Sequence, residues 1–183
     1  MKTILTTLLL FLMIGCAETE MESQNQNDQT PTHDELVVVV HPTEGNDANG
    51  VVRFLNEEGG VQVVAEIHGL EANSNHGFHI HQYGDCTAPD GTSAGGHFNP
   101  QENPHAGPTD SQRHVGDLGN LESDDDGLAE LNYLDTEISF EGINNILGRG
   151  VVVHAGEDDL ETQPTGDAGA RLGCGVIGVA QTE

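Results

Sequence analysis

Basic side chains are almost absent from this chain: 5 lysines and arginines stand against 31 aspartates and glutamates, a formal charge of −26 with histidine neutral. With so few cations no basic patch can form, which excludes nucleic acid as a partner. Tryptophan is missing, and aromatic residues make up only 4% of the sequence. No long stretch keeps a helical period, so a helical fold is excluded as well. No internal repeat is present, which leaves out a stacked-repeat architecture. The one apolar run of any length, Leu5 to Ile14, is too short to cross a bilayer comfortably.

Glycine is abundant, with 24 residues, and so are short β-branched runs. Leu36-Val-Val-Val-Val40, Val61-Gln-Val-Val64, Val151-Val-Val153 and Val176-Ile-Gly-Val179 are bounded by Gly, Pro, Asn or Asp, which is the pattern of strands. At 183 residues and 35% hydrophobic content, the chain is long enough for one domain with a core and too short for two. These features predict an all-β domain over residues 35–183, a sandwich or flattened barrel of about eight antiparallel strands. Asp125-Asp126-Gly127 reads as a turn between two of them.

The N-terminus predicts export. Lys2, the apolar run broken only by threonines, and small Gly15 before Cys16 read as a signal peptide over residues 1–15. Met13-Ile-Gly-Cys16 resembles the lipobox of bacterial lipoproteins, with Met13 at the usual leucine position. On this reading Cys16 is lipidated and anchors the chain to a membrane of the bacterial cell envelope, on its periplasmic or surface side. Ordinary secretion with cleavage near Ala17 is the alternative. Residues 16–34, polar and acidic, cannot bury apolar surface and form a flexible tether. With Cys16 consumed, Cys86 and Cys174 remain as an even pair in a compartment where disulfides persist. A bridge between them would limit the unfolded chain by roughly 4 to 5 kcal/mol in the loop-entropy model.

Chemistry is concentrated in His79-Ile-His81, His97, His105, His114, Asp117 and His154. Residues i and i+2 of a strand point to the same face, so His79 and His81 can reach one metal together. Gathering so many polar rings without a metal would be costly. His33, His41 and His68 read as lone surface histidines. Two other spellings are set aside. Gly91-Thr-Ser-Ala-Gly95 matches G-x-S-x-G but lacks the strand before it and the helix after it that a nucleophile elbow needs. The run Glu122 to Gly127 lacks the first-position Asp of a calcium loop, and Tyr133 stands where its twelfth-position Glu belongs.

Several motifs in one order carry a family resemblance: Gly77-Phe-His-Ile-His81, Gly84-Asp-Cys86, Ser93-Ala-Gly-Gly-His-Phe-Asn-Pro100, Arg113-His-Val-Gly-Asp-Leu-Gly-Asn120, Val153-His-Ala-Gly-Glu-Asp-Asp-Leu160 and Gly169-Ala-Arg-Leu-Gly-Cys-Gly-Val-Ile177. Over residues 36–181 the chain resembles Cu/Zn superoxide dismutase. The placement of Cys86 and the short, lysine-free segment between Leu160 and Arg171 look like the bacterial branch. The resemblance implies a Greek-key barrel with one copper and one zinc ion per subunit. It assigns His79, His81, His97 and His154 to copper, and His97, His105, His114 and Asp117 to zinc. These sets suit the two ions, since Cu(II) accepts a planar nitrogen set and zinc a tetrahedral three-histidine, one-carboxylate set. His97 would bridge the metals through both ring nitrogens. Asp158 matches the outer carboxylate that links a copper histidine to a zinc histidine, His76 a backbone-bonding histidine, Arg171 the guanidinium beside the copper and Thr165 the channel wall.

The implied activity is dismutation of superoxide: one superoxide reduces Cu(II) and leaves as dioxygen while His97 takes a proton, and a second leaves as hydrogen peroxide. A copper- or zinc-buffering envelope lipoprotein is the competing class, including a site for zinc alone; Arg171 and the shared His97 favour the enzyme. A structural adhesion domain would explain the strands and none of the ligands. Monomer and homodimer both stay open. The acid excess repels superoxide at long range, so metals and Arg171 must supply a local positive funnel, and saline surroundings are expected to screen the rest.

Overall fold

Alternation decides which way each strand faces. In β1 (Glu35–Pro42) Leu36, Val38 and Val40 are buried while Val37 and Val39 point outward, and in β3 (Gly60–His68) Val61, Val63, Ala65 and Ile67 take the inner positions. A computed structural model describes residues 33–181. The expected signal peptide, Cys16 and nearly all of the tether lie outside them. The other strands are β2 (Asn49–Glu57), β4 (Asn75–His81), β5 (Asp117–Glu122), β6 (Ala129–Asp135), β7 (Gly150–His154), β8 (Arg171–Val176) and β9 (Gly178–Val179). Two single 3₁₀ turns, Thr92–Ala94 and Gly142–Asn144, are the only helical pieces among the described residues, in keeping with the missing helical period.

The strands run β5-β4-β7-β8-β1-β2-β3-β6, with β9 paired to β1, and form a nearly closed antiparallel barrel of the Greek-key type. Consecutive strands form the hairpins β1-β2-β3, whereas the β4–β7 and β1–β8 pairings join strands far apart in sequence. The core inside the barrel includes Leu36, Val38, Phe54, Ile67, Phe78, Ile80, Leu121, Val151, Val153 and Ile177. Each fully buried Phe or Ile there contributes about 1.5–3 kcal/mol. The predicted turn is present between β5 and β6: the Asp124 carboxylate accepts from the Asp126 and Leu128 N–H groups, and Gly127 takes the left-handed conformation with φ 74°.

One expected strand is divided. The run Val176–Val179 has the sequence of one strand, but the chain changes partners at Ile177, with β8 pairing to β7 and β9 to β1. Ile177 enters the core, and its backbone bonds instead to Arg149 and Gly148. A β-branched run reports an extended backbone but not which neighbour it pairs with.

Strands β4 and β7 position the site because both of their faces are buried. Phe78, Ile80, Val151 and Val153 enter the core, so His79, His81, Val152 and His154 face the other way. There they are covered by two loops, residues 82–116 between β4 and β5 and residues 155–170 between β7 and β8. The expected disulfide ties the first loop to β8: Cys86 and Cys174 are bonded, with α-carbons 5.8 Å apart. Ser93 of the rejected nucleophile motif donates to the Asp85 carbonyl and accepts from the Ala88 N–H, a turn-fastening role.

Candidate metal centre

The sequence-predicted ligands converge in two groups. His79, His81, His97 and His154 offer nitrogens within 4.8 Å of one another, and so do His97, His105 and His114 with a carboxylate oxygen of Asp117. All seven side chains are buried, and His97 belongs to both groups. His33, His41 and His68 lie in neither.

Hydrogen bonds to the outer nitrogens set which way each lone pair points. His81 Nδ1 donates to the Gly95 carbonyl at 2.9 Å and His154 Nδ1 to the Gly169 carbonyl at 3.2 Å. The two Nε2 atoms, left as acceptors, face each other at 3.3 Å. His79 Nε2 donates to Asp158 Oδ2 at 2.7 Å, which leaves its Nδ1 bare and without a partner. His97 Nε2 is equally bare. Four inward lone pairs with nothing to accept from are a poor arrangement for a buried cluster and a good one for a cation.

The second group closes on one oxygen. Asp117 Oδ1 lies 2.8 Å from His97 Nδ1, 3.0 Å from His105 Nδ1 and 3.1 Å from His114 Nδ1. His105 Nδ1, though this near, makes no hydrogen bond, while its Nε2 donates to Asp158 Oδ1 at 2.9 Å. Three imidazoles around one carboxylate match a tetrahedral zinc donor set, and the all-imidazole group matches copper. The residues therefore fit both ions. Three of the five unpartnered buried polar atoms among the described residues, on His79, His97 and His105, belong to these sets.

Burial sets the proton affinities. It pushes His97 down to about 4 and His154 down to about 3, and it lowers His79 and, strongly, His81; the nearby positive charge of Arg171 adds to the effect at His81 and His154. These rings are neutral at pH 7 and ready to coordinate. His105 goes the other way: burial lowers it, but its contacts with Asp117 and Asp158 outweigh that and raise it to about 9. Burial likewise works to raise Asp117 and Asp158, and their imidazole partners override it, holding both well below the usual carboxylate range.

Asp158 joins the two groups, with one oxygen on His79 and the other on His105. Its own backbone is gripped by the Asn120 amide, which donates to the Asp158 carbonyl and accepts from its N–H, both at 2.8 Å. His76 Nδ1 bonds the His154 carbonyl at 2.9 Å from inside the barrel wall. Buried Arg113 donates to the carbonyls of His114, Val115 and Asp117 and to Asp135 Oδ2, fastening the second group to β6. Asn120 and Arg113 lie inside quoted motifs, but nothing in their spacing marks them as supports.

Arg171 opens β8 opposite His154. Its Nη1 donates to the Gly91 carbonyl and its Nη2 to the Gly95 carbonyl, each at 2.6 Å, so the guanidinium is held by neutral acceptors, and the Asp90 carboxylate acts on it only from a distance. The Gly95 carbonyl also accepts from His81, which puts cation and ligand on one backbone oxygen. Thr165 is half-buried in the segment between β7 and β8.

The family model for copper/zinc superoxide dismutase matches residues 48–177. A Cu-Zn superoxide dismutase of Schizosaccharomyces pombe is 50% identical over 140 residues, covering 72% of this chain and 90% of its own length. One of Paramecium bursaria Chlorella virus 1 is 42% identical over 183 residues, covering 96% and 94%. An extracellular Cu-Zn superoxide dismutase of Brugia pahangi is 42% identical over 154 residues, covering 79% and 75%. Among solved structures, the clock protein EA4 superposes with a TM-score of 0.74 at 38% identity, over 81% of this chain and 96% of that one.

Proposed function

The chain belongs to the copper/zinc superoxide dismutase family, and on that premise we propose how its residues divide the work of converting superoxide to dioxygen and hydrogen peroxide. His79 Nδ1, His81 Nε2, His97 Nε2 and His154 Nε2 hold copper. His97 Nδ1, His105 Nδ1, His114 Nδ1 and Asp117 Oδ1 hold zinc. The chemistry supplied by bound copper is one-electron exchange with superoxide, once in each direction per cycle. The single observation that carries this division is His97, buried between the two groups with a nitrogen turned to each.

The protein's own contribution is positional. Asp158 fixes the orientation of His79 and His105 together, so neither ring can turn without disturbing the other. His97 Nε2 is the atom that takes and returns a proton, since its Nδ1 stays committed on the Asp117 side. Arg171 orients a small anion with a charge-assisted contact and stabilises the negative charge that peroxide carries. Metal buffering requires neither this guanidinium nor a shared ring and is not the favoured reading.

Export belongs to the same proposal. Cys16 carries a lipid that anchors the domain to a membrane of the bacterial cell envelope, on its periplasmic or surface side. The signal-like run Leu5–Ile14 and the Cys86–Cys174 bridge support a non-reducing location. A homodimer is supported by Val37, Val39 and Val176, which line an outer groove of about 580 Å³. Dismutation is assayed on residues 17–183 reconstituted with copper and zinc, beside Arg171→Ala and His154→Ala. The parent disposes of superoxide and both variants fall well behind; equal rates for all three would discard the assigned centre.

A further inference from the structure

The loop between β7 and β8 reaches His105 twice. Asp158 takes its ring, and Gln163 takes its backbone: Gln163 Nε2 donates to the His105 carbonyl at 2.8 Å, and Gln163 Oε1 accepts from the His105 N–H at 2.7 Å. The two residues are 58 positions apart. The geometry points to Gln163 as a positioning residue for the zinc ligand His105, an inference that rests on the zinc assignment proposed above.

His105 belongs to no strand, and among the described residues neither its N–H nor its carbonyl has a backbone partner. Its placement therefore depends on side chains. Only a group with a donor and an acceptor side by side can close both bonds at once, and a carboxamide is such a group. With the backbone held by Gln163 and Nε2 held by Asp158, the ring has one orientation left, the one that turns Nδ1 toward Asp117. A third bond, from Gln163 Nε2 to the Glu161 carbonyl at 3.1 Å, steadies the amide itself. Gln163 is itself exposed, but the N–H and carbonyl it serves belong to buried His105, so its loss lowers stability modestly as well as freeing the ligand's backbone. What its loss changes most is where His105 sits.

The inference is tested by zinc affinity of the metal-free full chain, measured in competition with a chelator, for the parent, Gln163→Leu and Gln163→Glu. Glutamate keeps the acceptor for the His105 N–H and loses the donor for its carbonyl; leucine loses both. Outer supports of this kind are worth about tenfold or more in metal affinity, so Gln163→Leu binds zinc about tenfold more weakly and Gln163→Glu falls between it and the parent. Copper affinity holds at the parental value, and the melting temperature of the metal-free protein falls only modestly. Parental zinc affinity in Gln163→Leu overturns the inference. So does a loss of zinc and copper affinity in step with the melting temperature, which is general loosening. A parent that takes up no zinc at all overturns the zinc assignment and this inference with it.

Discussion

Gly166 stands directly against the carboxylate of Asp158: a methyl group on its α-carbon would overlap Asp158 Oδ1 and come 2.7 Å from His105 Nε2. Its φ of 65° is also one that side chains rarely adopt. Gly166→Ala therefore pushes apart the contact that joins the copper and zinc groups. Zinc affinity falls about 10- to 100-fold, on top of a backbone cost of about 1–2 kcal/mol. Gly45 supplies the control, with φ 81° and no neighbour within 4 Å. Gly45→Ala carries the same backbone cost and leaves zinc binding unchanged.

Arg171 contacts its supports through both terminal nitrogens, so charge and shape can be separated. Arg171→Ala lowers the dismutation rate by about 100-fold, as loss of a preorganised donor to a developing oxyanion does, while copper and zinc contents stay at parental values. Arg171→Lys restores the charge without the fork and recovers part of the rate. Metal analysis beside the rate separates this from loss of the ions.

Reduction of the Cys86–Cys174 bridge acts at two levels. Releasing a span of 88 residues costs at most about 4–5 kcal/mol in the loop-entropy model. The bridge also tethers the loop whose Gly91 and Gly95 carbonyls hold Arg171. Cys86→Ser with Cys174→Ser is expected to melt earlier and, well below its melting temperature, to turn over more slowly with both metals bound.

Zinc uptake releases a proton. In the metal-free protein His105 is raised to about 9, so between pH 7 and 9 the folded ring carries a proton that zinc must displace. Apparent zinc affinity rises about tenfold per pH unit in that window and levels off above it. The same shift stabilises the metal-free fold below the unfolded value of about 6.5 and is lost as pH rises through 9. His97 and His154, lowered to about 4 and about 3, destabilise it as pH falls below 6.5. Calorimetry of zinc binding in buffers of different ionisation enthalpy gives the proton count directly; zero at pH 7 rejects this account.

Salt tests the charge. A chain at −26 repels superoxide over a screening length of about 30 Å at 0.01 M salt, shrinking to about 3 Å at 1 M. The dismutation rate is expected to rise over that range as screening removes the repulsion. A steady decline would mean that attraction by Arg171 and the metals governs capture instead.

The site was more legible in the sequence than its supports. His79 and His81 announce themselves by their spacing on a β-pattern, and Asp117 by its place among histidines, because ligand chemistry resides in the side-chain type. Asp158 was found only through the family's motif order, since a lone carboxylate in an acid-rich chain carries no mark. Gln163 and Asn120 were missed for a similar reason: an amide is ordinary on a surface, and only the fold shows it closing on a distant backbone. The Gly91 and Gly95 carbonyls that hold Arg171 are invisible in principle, because every residue has a carbonyl. The strand pattern pointed to a sandwich or flattened barrel without choosing between them, and it failed at Ile177, where the choice of partner is a tertiary matter.

Phe78 and Ile80 alternate with His79 and His81 along β4, hydrocarbon to one side and imidazole to the other. A slip of one residue would drive ligands into the barrel and leave phenylalanine facing the ions. The chelate and the hydrocarbon core thus depend on one and the same threading of β4 against β7, and neither can be lost alone.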